Sequence, residues 1–333
     1  MRKLLWPVAA ATAGLAYAAL YEVNAFTLRE FTVPVLAPGS DPLRILHLSD
    51  THMTPRQHKK QDWLSGLAAL EPDLVVNTGD NLAHMNAVSS VLHAYGDLLD
   101  LPGVFVFGSN DYFSPEPKNP ARYLVGGTGG DWRREPDLPW RELRGSFSRR
   151  GWHDLTNRHD ELTINGKRIA FVGVDDPHLG YDELDNEPAD ATADLAIGVA
   201  HAPYLRVLDR WNSLGYPLIL AGHTHGGQLC IPGFGALVTN CDLDTARVKG
   251  LHTHRVDGHD PSWMHVSAGL GTSPYAPVRF ACRPEASLLT LTGIDSPGPR
   301  NRGIGLWRSL VARVVRDDEA AGSNPVSPTK SSL

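Results

Sequence analysis

At 333 residues, with 42% of them apolar, the chain can bury a sizeable core in one large domain with appendages. Its net charge of −6 gives no global reason to expect nucleic acid as a partner. Cys230, Cys241 and Cys282 form no CxxC pair and no disulfide framework, although a single Cys230–Cys241 link stays open. A GxSxG elbow and a Walker A loop are both missing, while 15 histidines direct attention to imidazole and metal chemistry.

Arg2 and Lys3 precede an uncharged, Ala-rich stretch over residues 4–21. At about 1.5 Å per residue it nearly spans a hydrocarbon layer of about 30 Å. Residues 1–22 are therefore expected to be a membrane anchor. The alternatives are a signal cleaved after Ala16-Tyr17-Ala18 and a helix of the soluble core. The leading positive charges favour a cytoplasmic N-terminus and place the catalytic part outside the cell membrane.

Residues 22–41 read as an extended lead-in punctuated by Pro34 and Pro38. Strands are predicted at 43–48, 73–77 and 103–107, separated by helical patterns at 59–70 and 87–99. This is a βαβ rhythm. Residues 112–152 break it with Pro-, Gly-, Arg- and Trp-rich sequence. Asn165-Gly166 predicts a hairpin joining strands at 160–164 and 167–174. Further strands are expected at 194–199, 217–220, 262–267 and 286–291. Beyond residue 294 the composition changes; 295–333 reads as an amphipathic helix, 305–316, followed by a flexible tail.

Five polar clusters stand where strands end: Asp50-x-His52, Gly79-Asp80-Asn81, Gly108-Ser109-Asn110-Asp111, His201-Ala202-Pro203, and Gly222-His223-Thr224-His225-Gly226-Gly227-Gln228. The carboxyl ends of strands form the usual ligand crevice of α/β sheets, so these side chains can converge. If the backbone stays extended, Asp50 and His52, like His223 and His225, point the same way. Carboxylates can bridge two cations, and neutral imidazoles complete the shells. The mixed set suits Mn, Fe or Zn.

In this order, the DxH, GD, GNH(D/E)-like, isolated His and GHxH elements resemble the calcineurin-like metallophosphoesterase superfamily. GHTHGGQ with GVDDP and an N-terminal apolar segment looks like its membrane-associated bacterial branch. The resemblance covers residues 43–292 and implies a four-layer αββα sandwich with two divalent metal ions at one edge. It implies that Asp50, His52, Asp80 and His225 hold one ion, and that Asp80 bridges to a second held by Asn110, His201 and His223. The family run Gly-Asn-His-acid is Gly108-Ser109-Asn110-Asp111 here. Asn110 is the favoured amide ligand, with Asp111 near the leaving group. The general-acid His is missing; His84, Asp111 and His178 are candidates to replace it. Such an acid contributes about 10²–10⁴-fold to rate.

The resemblance further suggests hydrolysis of phosphate mono- or diesters by a metal-activated water. It extends to lipid-linked or nucleotide-sugar pyrophosphates of the UDP-2,3-diacylglucosamine kind. Trp132, Trp140 and Trp152 with Arg133, Arg134, Arg141 and Arg144 would suit an amphiphilic phosphate. The competing reading is a catalytically weak metal-binding protein of the cell envelope.

Overall fold

The computed structural model describes residues 12–117 and 135–294. The expected helix and tail at 295–333, and the Trp132, Arg133 and Arg134 part of the aromatic segment, lie outside them. Two six-stranded sheets face each other. The first runs in the order β1 (Thr27–Leu36), β14 (Glu285–Gly293), β2 (Leu43–Leu48), β3 (Leu74–Asn77), β4 (Gly103–Phe105), β5 (His153–Asp154). The second runs β12 (Gly250–His254), β13 (Ser262–Val266), β9 (Leu218–Ala221), β8 (Leu195–Val199), β7 (Lys167–Gly173), β6 (Arg158–Ile164).

The two-residue side-chain period sorts each strand between two cores. Leu43, Ile45, Leu74 and Val76 meet Leu195, Ile197, Val199, Leu218 and Leu220 between the sheets. Leu46, Leu48 and Val75 turn outward onto the helices His58–Ser65, Val88–Tyr95 and Trp140–Arg149. On the far side, Ala196, Ile219 and Met264 cover the helix Leu205–Ser213 through Val207, Leu208 and Trp211. The result is a helix–sheet–sheet–helix stack. β2, β3 and β4 run parallel, as do β7, β8, β9 and β13. Both sheets therefore end their central strands at one edge.

The lead-in is more ordered than its prolines suggest. Residues 27–36 form β1, which pairs in parallel with β14 along nearly its whole length. Pro34 is tolerated because β1 lies at the sheet edge. The irregular stretch also contains a helix, Trp140–Arg149. Trp152 belongs to the core, 2% exposed, and the absent Cβ of Gly103 leaves room for its ring. It is packing, not substrate surface.

Residues 12–16 are helical and continue into a π-turn, Tyr17–Tyr21. No helix among the described residues is long and apolar enough to cross a membrane.

Candidate metal centre

Asp50 and His52 follow β2, Asp80 follows β3, Asn110 follows β4, His201 follows β8, and His223 and His225 follow β9. All seven gather at the common strand edge. The backbone does not stay extended there, contrary to the alternation argument. Asp50, His52, Asp80, His223 and His225 all have positive φ, between 41° and 69°. Left-handed backbone costs about 1–3 kcal/mol per non-glycine residue and clusters at functional sites. The turns are locked to each other: Asp50 N–H donates to Gly79 O (2.9 Å) and His52 N–H to Asp80 O (2.9 Å). The HxH pair consequently splits, each ring joining a different half of the centre.

Asp50, His52 and His225 form one buried group able to hold a cation; Asp50, Asp80 and His201 form another. Asp80 Oδ2 lies 3.4 Å from His52 Nε2 and 3.5 Å from His201 Nε2, between the halves. His225 Nε2 is 3.5 Å from Asp50 Oδ1 and 3.2 Å from His52 Nε2. His223 Nδ1 is 3.2 Å from His201 Nε2.

The outer ring nitrogens decide what the inner ones offer. His201 Nδ1–H donates to Thr78 O (2.7 Å), His225 Nδ1–H to Gly271 O (3.1 Å) and His223 Nε2–H to Asn240 O (3.2 Å). A carbonyl can only accept, so each neutral ring is left with a lone pair aimed inward. The lone pairs of His201 and His223 then face each other, an arrangement that calls for positive charge between them. Asp50 Oδ2 accepts from Ser49 Oγ and His223 N, but Oδ1 is buried with no hydrogen-bond partner. These donors fit a divalent cation. When bound, such ions polarise a phosphoryl group and make a water acidic enough to attack it.

The same carboxylates also draw a proton to His201, which an ion held there would displace. Burial alone would lower the His201 pKa, but the carboxylates of Asp80, Asp176 and Asp50 raise it to about 9. Burial pushes Asp80 upward, yet His201 and His52 bring it below the usual carboxylate range. Burial raises Asp50 and lowers both His52, to about 4, and His225.

The GSND turn departs from expectation. Asn110 is half-buried at the brim, its N–H donating to Asp80 Oδ1 (2.7 Å) and its Nδ2 to Asp80 Oδ2 (2.9 Å). The amide must turn over before its oxygen faces a cation. Asp111 is a brace instead of a leaving-group acid. Its oxygens accept N–H bonds from Asp80, Asn81 and Gly108, and the residue is wholly buried. Burial, with Asp80 nearby, raises its pKa to about 7. Among the other candidates, His84 is exposed and accepts from the Asn86 N–H. His178 lies tilted against His223, ring centroids 4.6 Å apart, and meets Tyr204 Oη at 3.0 Å. Trp140 carries Arg141 and Arg144 over its ring, while Arg144 also reaches Asp154 (3.0 Å).

Several supporting residues have no signature in the motifs. Arg279 is fully buried, and its Nη2 donates to Ala268 O, Gly269 O and Gly271 O at 2.7–3.1 Å. It thereby fixes the carbonyl that holds His225. Tyr95 Oη joins Thr51, Asn77 and Asn81 beneath the Asp50 and Asp80 turns. Asp176 is buried with Oδ2 unpartnered. The cysteines are free; Cys230 neighbours Cys282, not Cys241.

Residues 43–227 match the model of the calcineurin-like phosphoesterases. The chain belongs to that family. It is 28% identical to YpbG of Bacillus subtilis over 259 residues, covering 77% of this chain and 83% of the relative. It is 26% identical to the metallophosphoesterase YkoQ of the same organism, covering 75% and 84%. The phosphodiesterase YaeI of Escherichia coli is 24% identical, with 85% and 94% covered. Such a chain is a phosphoester hydrolase of a metal-dependent family, and the structure holds two groups of side chains able to take a metal ion.

Proposed function

We propose that this protein is a binuclear-metal-dependent phosphodiesterase acting on a lipid-linked phosphoester at a membrane surface. The inward lone pairs of His201, His223 and His225 around Asp50 and Asp80 carry the proposal. Asp50, His52, Asp80 and His225 would hold one ion, and Asp80, His201, His223 and, once its amide has turned over, Asn110 would hold the other. Mn, Fe or Zn suits this donor set.

The chain's own residues then have distinct tasks. Asp80 fixes the spacing of the two halves, and the backbone carbonyls of Thr78, Asn240 and Gly271 keep the imidazoles in the ligating tautomer. Asp111 holds the Asp80 turn. His178, whose ring lies beside His223 and whose Nδ1 meets Tyr204 Oη, is the proton donor to a leaving group in this reading. The membrane part rests on the uncharged stretch 4–21, acting as an anchor with the catalytic domain outside the cell membrane, and on the name of YaeI for diester chemistry.

Purified full-length protein loaded with Mn²⁺ should hydrolyse bis-p-nitrophenyl phosphate, and Asp80→Asn should abolish that turnover together with metal retention. Two ions bound without turnover on diester, monoester and lipid substrates would leave only a metal-binding envelope protein. Outward orientation is checked by adding protease to intact cells, where protection of the domain under a permeable outer layer refutes it.

A further inference from the structure

Between the metal ligand His225 and Cys241 the chain carries no charged side chain over residues 226–241. Such a run would ordinarily be core. Here it forms a protruding hairpin of two-residue strands, β10 (Cys230–Ile231) and β11 (Gly235–Ala236). Leu229, Ile231, Phe234 and Leu237 face solvent, Phe234 with 75% of its surface. Strands this short contribute little stability, so exposing four large apolar groups on and around them has no folding rationale.

The hairpin is tied at both ends to the centre. It begins at the His225–Gly227 turn, where Gly227 lies against Ala236, and it returns through Asn240, whose carbonyl accepts from His223. Its base is also tied to the N-terminal segment. Phe280 exchanges backbone hydrogen bonds with Gln228 and Cys230, and its ring meets Tyr17 edge-on at 6.2 Å. Arg279 N–H donates to Ala18 O (3.1 Å), and Cys282 N–H to Glu22 Oε1 (2.6 Å). Leu15, Leu20 and Tyr21 on that segment are exposed as well.

The uncharged hairpin stretch 226–241 and the Tyr17–Ala18 end of the N-terminal uncharged stretch thus meet at Arg279 and Phe280 beside the metal centre. We infer that the 228–238 hairpin is a second membrane-contact element. Its Ile231, Phe234 and Leu237 side chains enter the lipid surface from which the N-terminal segment emerges, and seat the metal centre against membrane-embedded phosphoesters. Continuity with the N-terminal stretch selects lipid as the occupant. Tyr17 and Tyr21 are suited to the polar–apolar boundary, and an uncharged apolar hairpin needs no anionic headgroup to dock. This inference rests on the membrane part of the proposed function.

The test uses the full chain, one copy per nanodisc of phosphatidylethanolamine and phosphatidylglycerol. An NBD label is placed by Phe234→Cys or, separately, by Asp257→Cys. Asp257 lies on the turn entering β13, at the opposite end of the sheet from the centre. Blue-shifted emission at 234, quenched by doxyl-labelled lipid, with no change at 257, is the expected result. An unquenched label at 234, or equal quenching at both, overturns the inference; the single-copy disc prevents a second chain from mimicking lipid. In a second arm, Phe234→Asp with Ile231→Asp should reduce turnover of a disc-embedded lipid phosphodiester roughly ten-fold or more, leaving bis-p-nitrophenyl phosphate unchanged. Equal loss on both substrates would mean a structural role and would also overturn it. Quenching without turnover of any ester would spare the hairpin and sink the hydrolase; turnover of the soluble ester without quenching would do the reverse.

Discussion

Two sets of buried histidines lie close together in this molecule and do different work. At the strand edge, His52 faces His225 and His201 faces His223, each pair of ring nitrogens 3.2 Å apart. Between the sheets, His47 on β2 meets His265 on β13 with Nδ1 atoms 2.8 Å apart. Burial and residue type do not separate the two. The outer nitrogens do. At the edge, three of the four outer nitrogens donate to backbone carbonyls and leave lone pairs converging on carboxylates. In the core, one ring must donate to the other, and His47 Nε2 meets Thr78 Oγ1 (3.0 Å). His265 Nε2 has no hydrogen-bond partner, and Phe31 lies against that ring. A cation is called for by the first arrangement and has no carboxylate to join in the second.

The sharpest way to break this comparison is to remove one imidazole from each set. His225→Ala should lower bis-p-nitrophenyl phosphate turnover by more than ~10²-fold and cost bound metal. Even residues that only orient ligands are worth about 10–100-fold. His47→Ala should leave metal content intact and reduce stability instead, by about 1–3 kcal/mol for the polar ring left unpaired on His265. Metal analysis and urea denaturation of both variants check it. Metal loss from His47→Ala, or full activity in His225→Ala, would erase the distinction.

How much of this was legible beforehand follows from the same contrast. The six Asp and His candidates for metal ligation stand out because each closes an apolar strand, and strand direction brings those ends together without any knowledge of packing. The left-handed backbone at five of them did not, since Asp and His at a strand tip are compatible with several turns. β1 was hidden by Pro34, whose missing N–H matters only if the strand is central. Trp152 looked like surface within an irregular segment until Gly103 made room for it. Arg279 had no motif at all: its partners are carbonyls from loops 268–271, which only the tertiary fold assembles.

Arg279 supplies the next test, smaller in effect. Arg279→Met keeps the bulk of the stem but leaves the carbonyls of Ala268, Gly269 and Gly271 without their buried donor. His225 should then lose its fixed orientation without losing its ligating atom. Turnover is expected to fall about 10–100-fold, with partial recovery at raised Mn²⁺ concentration. His225→Ala should show no such recovery. Equal behaviour of the two variants across a metal titration would remove the positioning role.

The smallest effect separates the two sets by pH. Burial lowers the His47 pKa to about 3, and His265 falls too, through burial and then the neighbouring His47. The unfolded chain takes up these protons near pH 6.5, while native His47 refuses its proton until the pH approaches 3 and His265 also stays neutral well below 6.5. Native stability from the core pair is therefore complete above about 6.5 and declines as the pH falls toward 3, by up to about 1.4 kcal/mol per pH unit for each ring. Replacing both rings, His47→Leu with His265→Leu, removes the polar pair together, which can be nearly neutral at pH 7.5. Urea midpoints of the metal-loaded protein between pH 7.5 and 5 should then fall less steeply than in the wild type. An unchanged slope would mean that the acid sensitivity over this range arises outside the core pair.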